Sequence, residues 1–299
     1  MRETMRLIQR NMRLFFRDRA SVFFSLLSVL IIILLYGLFL AKLQVGSLAE
    51  TIRAAGLTPD DQAIRFFIDS WIMGGILATG TVTTSLGAIG ILVDDAHRGA
   101  ARDFRVSPVR RPQLVGGYLG STFLVSLVMS LIAFAIAEGY IVLSGGELLG
   151  LAQMASAVGV LALCILSFSA LMAFLATFMR TPGSFGAFST VVGTMLGFFM
   201  GIYVPIGVLP EPIQVFMKVL PFNSAAVLLR QQFMDVALPR VFAGVPAQIA
   251  TEYKDFYGIT MSLGGNDVPT WAMLAFIAAF GAVFFGLAVW RLSRKVVQR

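Results

Sequence analysis

Six apolar runs decide what this chain can fold into. They lie near residues 21–41, 71–93, 114–143, 151–179, 184–204 and 269–290. Crossing about 30 Å of hydrocarbon takes roughly 20 apolar residues in a helix, and each run is long enough. Of the 299 residues, 58% are hydrophobic and only 13% charged, whereas soluble domains carry about 25% charged residues. Lipid must therefore be the solvent for much of the surface. The residue alternation of a membrane β-barrel is missing. The sequence reads as an all-α integral membrane protein with six transmembrane helices, a single membrane domain over residues 1–299. The first run exceeds the usual signal-peptide core and no small-residue cleavage site follows it, so it reads as an uncleaved anchor.

Charge orients these spans. With both termini inside, the inner segments hold sixteen of the 23 Lys and Arg residues and the outer segments seven. Short basic segments stay on the cytoplasmic side, so the expected topology is N-in and C-in. The net charge of +7 is then a topology signal. No nucleic-acid-binding motif accompanies it, and no nucleic-acid partner is expected. The sequon Asn-x-Ser/Thr is absent, which fits a bacterial inner or plasma membrane.

Residues 1–19 read as an interfacial helix. Arg2, Arg6, Arg10, Arg13 and Arg17 are spaced 4, 4, 3 and 4 apart and fall on one stripe of a helix. Met5, Ile8, Met12, Phe15 and Phe16 fall on the other side. Such a helix lies in the headgroup layer with its arginines toward anionic lipid.

The most distinctive polar stretch runs from Asp94 to Pro108, between the second and third apolar runs. Arg98, Arg102 and Arg105 share a helical face. Asp94 stands four residues before Arg98, a favourable helical pair. Asp94 and Asp95 at the start of such a helix would suit its dipole, and Pro108 would stop it. A short charged helix over 94–108 is expected.

Catalysis has little to work with. His97 is the sole histidine and Cys164 the sole cysteine, so neither a zinc site of ordinary ligand count nor a nucleophile–base–acid triad can be assembled; no metal site is expected. Glu138 is the lone acid well inside a predicted span. Intramembrane charges are costly and face a cavity or partner, so Glu138 is a possible substrate contact. Gly193, Gly197 and Gly201 form a small-residue stripe in the fifth span that permits close helix approach. Prolines 205, 210, 212 and 221 punctuate the long outer segment 205–268. Within it, residues 213–235 are apolar enough for a helical hairpin, and 236–268 turns polar and loop-like.

The order of residues in the 94–108 stretch resembles the coupling-helix region of type-2 ABC export permeases. That pattern runs Glu-x-Glu-Arg-Gly-Thr, an apolar pair, then Thr/Ser-Pro. Asp95, Arg98, Gly99, Ala100, Phe104, Val106, Ser107, Pro108 and Val109 take the corresponding places. His97 stands where an acid is usual and Arg105 replaces an apolar residue. A second resemblance lies after the fifth span, at Gly201-Ile202-Tyr203-Val204-Pro205, Val208-Leu209-Pro210 and Val219-Leu220-Pro221-Phe222, with Arg230 following. There the family carries an outer re-entrant helix hairpin, here marked by Pro205, Pro210 and Pro221.

The resemblance implies a permease subunit of an ATP-driven exporter with a separate ATPase docking on Asp94, Asp95, Arg98, Gly99, Arg102, Phe104, Arg105 and Pro108. It also implies a homodimer or a heterodimer with a second permease, whose translocation path the Gly193–Gly197–Gly201 helix lines. The expected cargo is a hydrophobic or amphipathic compound, either drug-like, peptide or lipid. No cofactor is expected in this chain; ATP and Mg belong to the partner ATPase. Leu143-Ser144-Gly145-Gly146-Glu147 looks like the ATPase signature, but it falls in a short outer turn and no GxxxxGK[S/T] loop exists. The chain is therefore not expected to be an enzyme. A gradient-driven secondary transporter would show more intramembrane polar residues or an internal repeat. A sensor or scaffold subunit would bind the ATPase without moving substrate.

Overall fold

The computed structural model describes residues 2–54, 58–100, 110–242 and 247–295. Helices α1 (Arg2–Arg17), α2 (Arg19–Leu35), α3 (Ala41–Ala54), α4 (Asp61–His97) and α5 (Arg111–Leu143) form the first half. Helices α6 (Leu151–Ala176), α7 (Pro182–Phe199), α8 (Glu211–Val219), α9 (Pro221–Val241), α10 (Ala247–Phe256) and α11 (Thr270–Lys295) complete it. A two-residue hairpin, β1 (Ser262–Leu263) with β2 (Asn266–Asp267), precedes α11.

Four helices are long and apolar enough to cross a membrane, at Asp61–His97, Pro112–Leu143, Leu151–Ala176 and Thr270–Ser293. Two bent pairs raise the number to six if each counts as one span: α1 with α2, bent by 74°, and α8 with α9, bent by 86°. The expected fifth span is shorter than its apolar run. It is α7, with 18 residues ending at Phe199, or roughly 27 Å at the α-helical rise.

Local chemistry sets the element ends. Asp60 caps α4, its Oδ1 accepting from the backbone N–H groups of Gln62 and Ala63, so Pro59-Asp60-Asp61 is the helix start. Thr181 caps α7, with Pro182 in its first turn. Leu220, held extended before Pro221, makes the break between α8 and α9. Gly145 adopts φ +87° in the turn that closes α5.

Three expectations change. Residues 42–70, whose polar composition and Pro59-Asp60-Asp61 suggest an outer loop with a turn or helix start, are helical at 42–54 and 61–70, because α2 runs through a π-helical turn at Tyr36–Leu40 directly into α3 and α4 starts at Asp61. The polar stretch 236–268 is not loop-like: α9 continues to Val241, and α10 and the hairpin fold back on the bundle. Asp94 and Asp95 are not at the start of a helix. They occupy the last turns of α4, where the dipole opposes a negative charge, so other contacts must hold them there.

α4 is the centre of the bundle. It packs along α9, α5 and α6, while α11 lies mainly against α6 and α1 against α5. Phe67, Trp71, Ile76, Phe168 and Phe233 are wholly enclosed in the core. Large apolar side chains of α2 and α11, among them Phe24, Leu34, Trp271 and Val283, point outward. Outward apolar faces suit a bilayer, which gives no reason to hide them.

Candidate functional site

One end of the bundle, at the carboxyl end of α4, gathers around Asp95. Its carboxylate is 6% exposed and accepts three short hydrogen bonds. Arg10 Nη1 donates to Oδ2 at 2.7 Å and Nη2 to Oδ1 at 2.8 Å, a fork-on-carboxylate pairing. Tyr118 Oη, from α5, donates to Oδ2 at 2.7 Å. Next to Arg10, Asn11 is buried and donates to Ser121 Oγ at 3.1 Å. Asp95 holds the Arg10 guanidinium above its usual pKa, the hydrogen bond being the largest cause.

This arrangement corrects the reading of α1. The side that packs on protein is centred on Leu7, Asn11 and Phe15, with Ile8, Met12 and Phe16 half-buried beside them; of the expected apolar side only Met5, 55% exposed, turns away. Gly117 and Gly120 of α5 let α1 approach. A Cβ on Gly117 would lie 2.7 Å from Leu7 and one on Gly120 2.8 Å from Ile8. Arg10 leaves the outward stripe and turns inward, while Arg2, Arg6, Arg13 and Arg17 remain exposed.

Asp94, Asp95 and Arg98 line a cavity of about 390 Å³ with the α1–α2 elbow (Asp18, Ser21) and the start of α7 (Phe185, Gly186). Asp94 makes no described ion pair with Arg98; its carbonyl accepts the Arg98 N–H, closing α4. Gly99 follows with φ +81°, a conformation that glycine adopts without steric cost. Arg102, Phe104, Arg105 and Pro108 lie outside the described residues. At the elbow, Asp18 caps α2; hydrogen bonds from Ser21 and Ala20 hold its carboxyl below the usual range.

The half of the bundle away from Asp95 is organised by a residue that charge counting placed in an outer segment. Arg230 of α9 is 1% exposed. Its Nη2 donates to the carbonyls of Met200 (2.7 Å) and Gly201 (2.8 Å). Nη1 reaches the Gly258 carbonyl at 3.4 Å, and the guanidinium lies 4.9 Å from the Trp71 ring centre. Four glycines make the room. A Cβ on Gly74 would meet the Arg230 backbone at 2.7 Å, one on Gly75 or Gly258 would crowd its guanidinium, and one on Gly201 would touch it. Pairing with the carboxyl end of α7 gives the buried cation a favourable dipole.

Gly201 is therefore not part of a three-glycine helical stripe. It ends α7 with φ +61°. Its N–H bonds to the Phe198 carbonyl, and that of Ile202 to the Gly197 carbonyl, a Schellman closure. Gly197 is packed against Tyr203, whereas Gly193 faces open space. Both line a cavity of about 180 Å³ with Ile32, Thr79, Gly80 and Tyr203. Pro205 precedes a short 3-10 turn, Pro210 starts α8 and Pro221 starts α9.

Glu138 is buried. Its Oε2 accepts from the Leu149 N–H at 3.2 Å, tying α5 to the turn before α6, and Oε1 has no hydrogen-bond partner. It is not the only buried acid among the described residues of the candidate spans. Asp69 of α4 is 1% exposed, with Arg65 Nε at 3.6 Å and Tyr140 Oη at 3.4 Å. Sequence reading missed Asp69 because α4 begins ten residues before the apolar run at 71.

The folded chain is thus an all-α, multi-pass membrane protein whose polar groups tie helix ends together. It belongs to the ABC-2 type transporter family, whose model matches residues 2–234. It is a permease component of an ABC transporter, in a family that works with an ABC ATPase subunit. The match ends before α10 and the β-hairpin. No curated protein matches the chain.

Proposed function

We propose that this permease is one membrane half of an exporter with six spans and both termini inside. Two such halves pair, as a homodimer or with a second permease, and separate ATPase subunits supply the energy. The cargo is a hydrophobic or amphipathic compound moved outward. The segment between the Asp94 turn and Pro108 takes the push of the ATPase, and the face of α7 bearing Gly193 and Gly197 borders the path. Glu138 is assigned to the outer turn it ties down and not to the cargo.

One observation carries this reading most directly. The family match covers the chain from α1 into α9, and the stretch that resembles a coupling helix lies in sequence between the end of α4 and α5, its first residues Asp94, Asp95 and Arg98 lining a cavity. A coupling device must give different contacts in two states of the machine, and the described residues at the start of this segment, Asp94, Asp95 and Arg98, line a cavity together with the elbow and α7.

The test is an affinity pull-down from mild detergent, with mass spectrometry of partners and an ATPase assay. A stoichiometric ATPase subunit with vanadate-sensitive activity is the expected result. A chain that purifies alone, with transport driven by an ion gradient, would overturn the reading.

A further inference from the structure

We infer that Asp95 is a positioning residue. With Arg10 and Tyr118 it clasps α1 to the inner ends of α4 and α5, so that α1 moves with the coupling segment. The inference rests on the proposed docking of an ATPase between residues 94 and 108.

Asp95 stands three residues before Arg98, where α4 ends, yet its carboxylate points into the bundle. Both oxygens are taken: Oδ1 by Arg10, Oδ2 by Arg10 and Tyr118. An ATPase cannot grip a side chain so enclosed. The carboxylate instead unites three elements at one point. Below it the two helices are closely packed, Gly117 and Gly120 having no side chain to hold α1 away, and Asn11 adds a buried link to Ser121. Charge-assisted bidentate pairs are strong and geometrically strict, so rotation of the α4 end carries Arg10 with it.

The consequence reaches further along the chain. α1 meets α2 at Asp18, where the helices bend by 74°. Asp18 accepts from the N–H groups of Ala20 and Ser21 and from Ser21 Oγ, which fixes the start of α2. α2 then lines the 180 Å³ cavity through Val29 and Ile32, opposite Gly193 and Gly197 of α7. Displacement of the coupling segment thus has a continuous route to the proposed path through Asp95, α1 and the elbow, beside the direct one through α4. A physical route becomes coupling only when its link can be broken separately.

The experiment uses the full chain with its co-purified ATPase in lipid nanodiscs. Fluorophores are placed at Gln9→Cys and Ala96→Cys, both exposed; native Cys164 is wholly buried and stays unlabelled. Single-molecule energy transfer is recorded with ADP and with ATP plus vanadate. A third label at Thr190→Cys on α7, exposed, replaces one of the pair to report movement against the rest of the bundle. In the wild-type chain the Gln9–Ala96 distance stays constant while both sites shift together relative to Thr190. In Asp95→Asn, and in the milder Arg10→Gln/Asp95→Asn pair, Ala96 still shifts but the shift at Gln9 is lost. Tyr118→Phe, which removes one donor only, keeps part of it.

The clasp is overturned if Gln9 follows Ala96 equally well in the Arg10→Gln/Asp95→Asn chain, or if Gln9 stays still in the wild type while Ala96 moves. A nucleotide response at neither site, with the ATPase bound, would instead sink the docking segment itself.

Discussion

A single nitrogen of Arg230, Nη2, donates to the carbonyls of both Met200 and Gly201, so a cation on α9 closes the carboxyl end of α7. Nη1 of the same group turns to Gly258, beyond the stretch matched by the family model. The outer segment 247–268 is therefore fastened to the same point as the helix that borders the proposed path. Trp71 Nε1 adds a 2.6 Å bond to the Tyr257 carbonyl, and Gln231 Nε2 one of 3.0 Å to that of Ile259.

Arg230→Lys should fold but lose the fork, because an ammonium group is a point charge without the planar reach of a guanidinium. Hydrogen bonds to charged groups are worth about 1.5–3 kcal/mol, so a loss of about 2 kcal/mol is expected. The unfolding midpoint in detergent, followed by intrinsic tryptophan fluorescence, reads it. A midpoint equal to wild type would show that the carbonyl contacts carry no stability.

Gly74→Ala and Gly80→Ala should behave oppositely, although both lie on α4. A Cβ at Gly74 meets the Arg230 backbone at 2.7 Å, whereas one at Gly80 meets nothing within 4 Å. Overpacking costs typically ~1–3 kcal/mol, while relief of glycine's chain entropy stabilises a helix by about 0.5–1 kcal/mol. Thermal unfolding of the two variants side by side decides it; equal destabilisation would contradict the packing described.

Glu138→Gln should leave export and substrate profile unchanged, because glutamine keeps an oxygen to accept from Leu149 N–H. Glu138→Ala removes that acceptor from a buried amide, which costs about 1–3 kcal/mol, and should lower the unfolding midpoint. A changed substrate profile in Glu138→Gln would return this residue to the transport path.

The Asp18 cap carries a pH dependence of known sign. Its carboxyl is held below the ordinary aspartate value of 3.8 by Ser21 and Ala20, so its contribution is fully present above that value. It is lost as pH falls through the lower folded value. Asp18→Asn, which caps without a charge, should remove this part of the acid sensitivity. Amide hydrogen exchange of the first turn of α2, compared between pH 3 and pH 6 after correction for intrinsic rates, measures it. An acid response equal to wild type would assign the sensitivity elsewhere.

Length and order of the apolar runs determined most of the architecture. They marked six spans, four of which are single helices long and apolar enough to cross a membrane, because burying backbone polar groups in lipid leaves helix as the local solution. Pro59-Asp60 suggested a turn or helix start, Thr181-Pro182 a tight turn, and the prolines from 205 to 221 a punctuated segment, because capping and proline geometry act within a few residues. The family, too, was legible from local patterns around residues 95–109 and 201–222. Partners far apart in sequence were not. Arg10 belonged to a regular arginine stripe, and nothing within its own helix distinguishes it from Arg6 or Arg13; only the arrival of Asp95, 85 positions away, turns it inward. Arg230 counted as an outer charge until the ends of α7 and α10 closed around it. Asp94 and Asp95 looked like the start of a helix because periodicity cannot say where one helix stops and the next begins. Local propensity and hydrophobicity are properties of short windows, whereas the pairing of a buried charge depends on which backbone carbonyls and carboxylates the packed helices bring within 3 Å of it, and that only the tertiary structure decided.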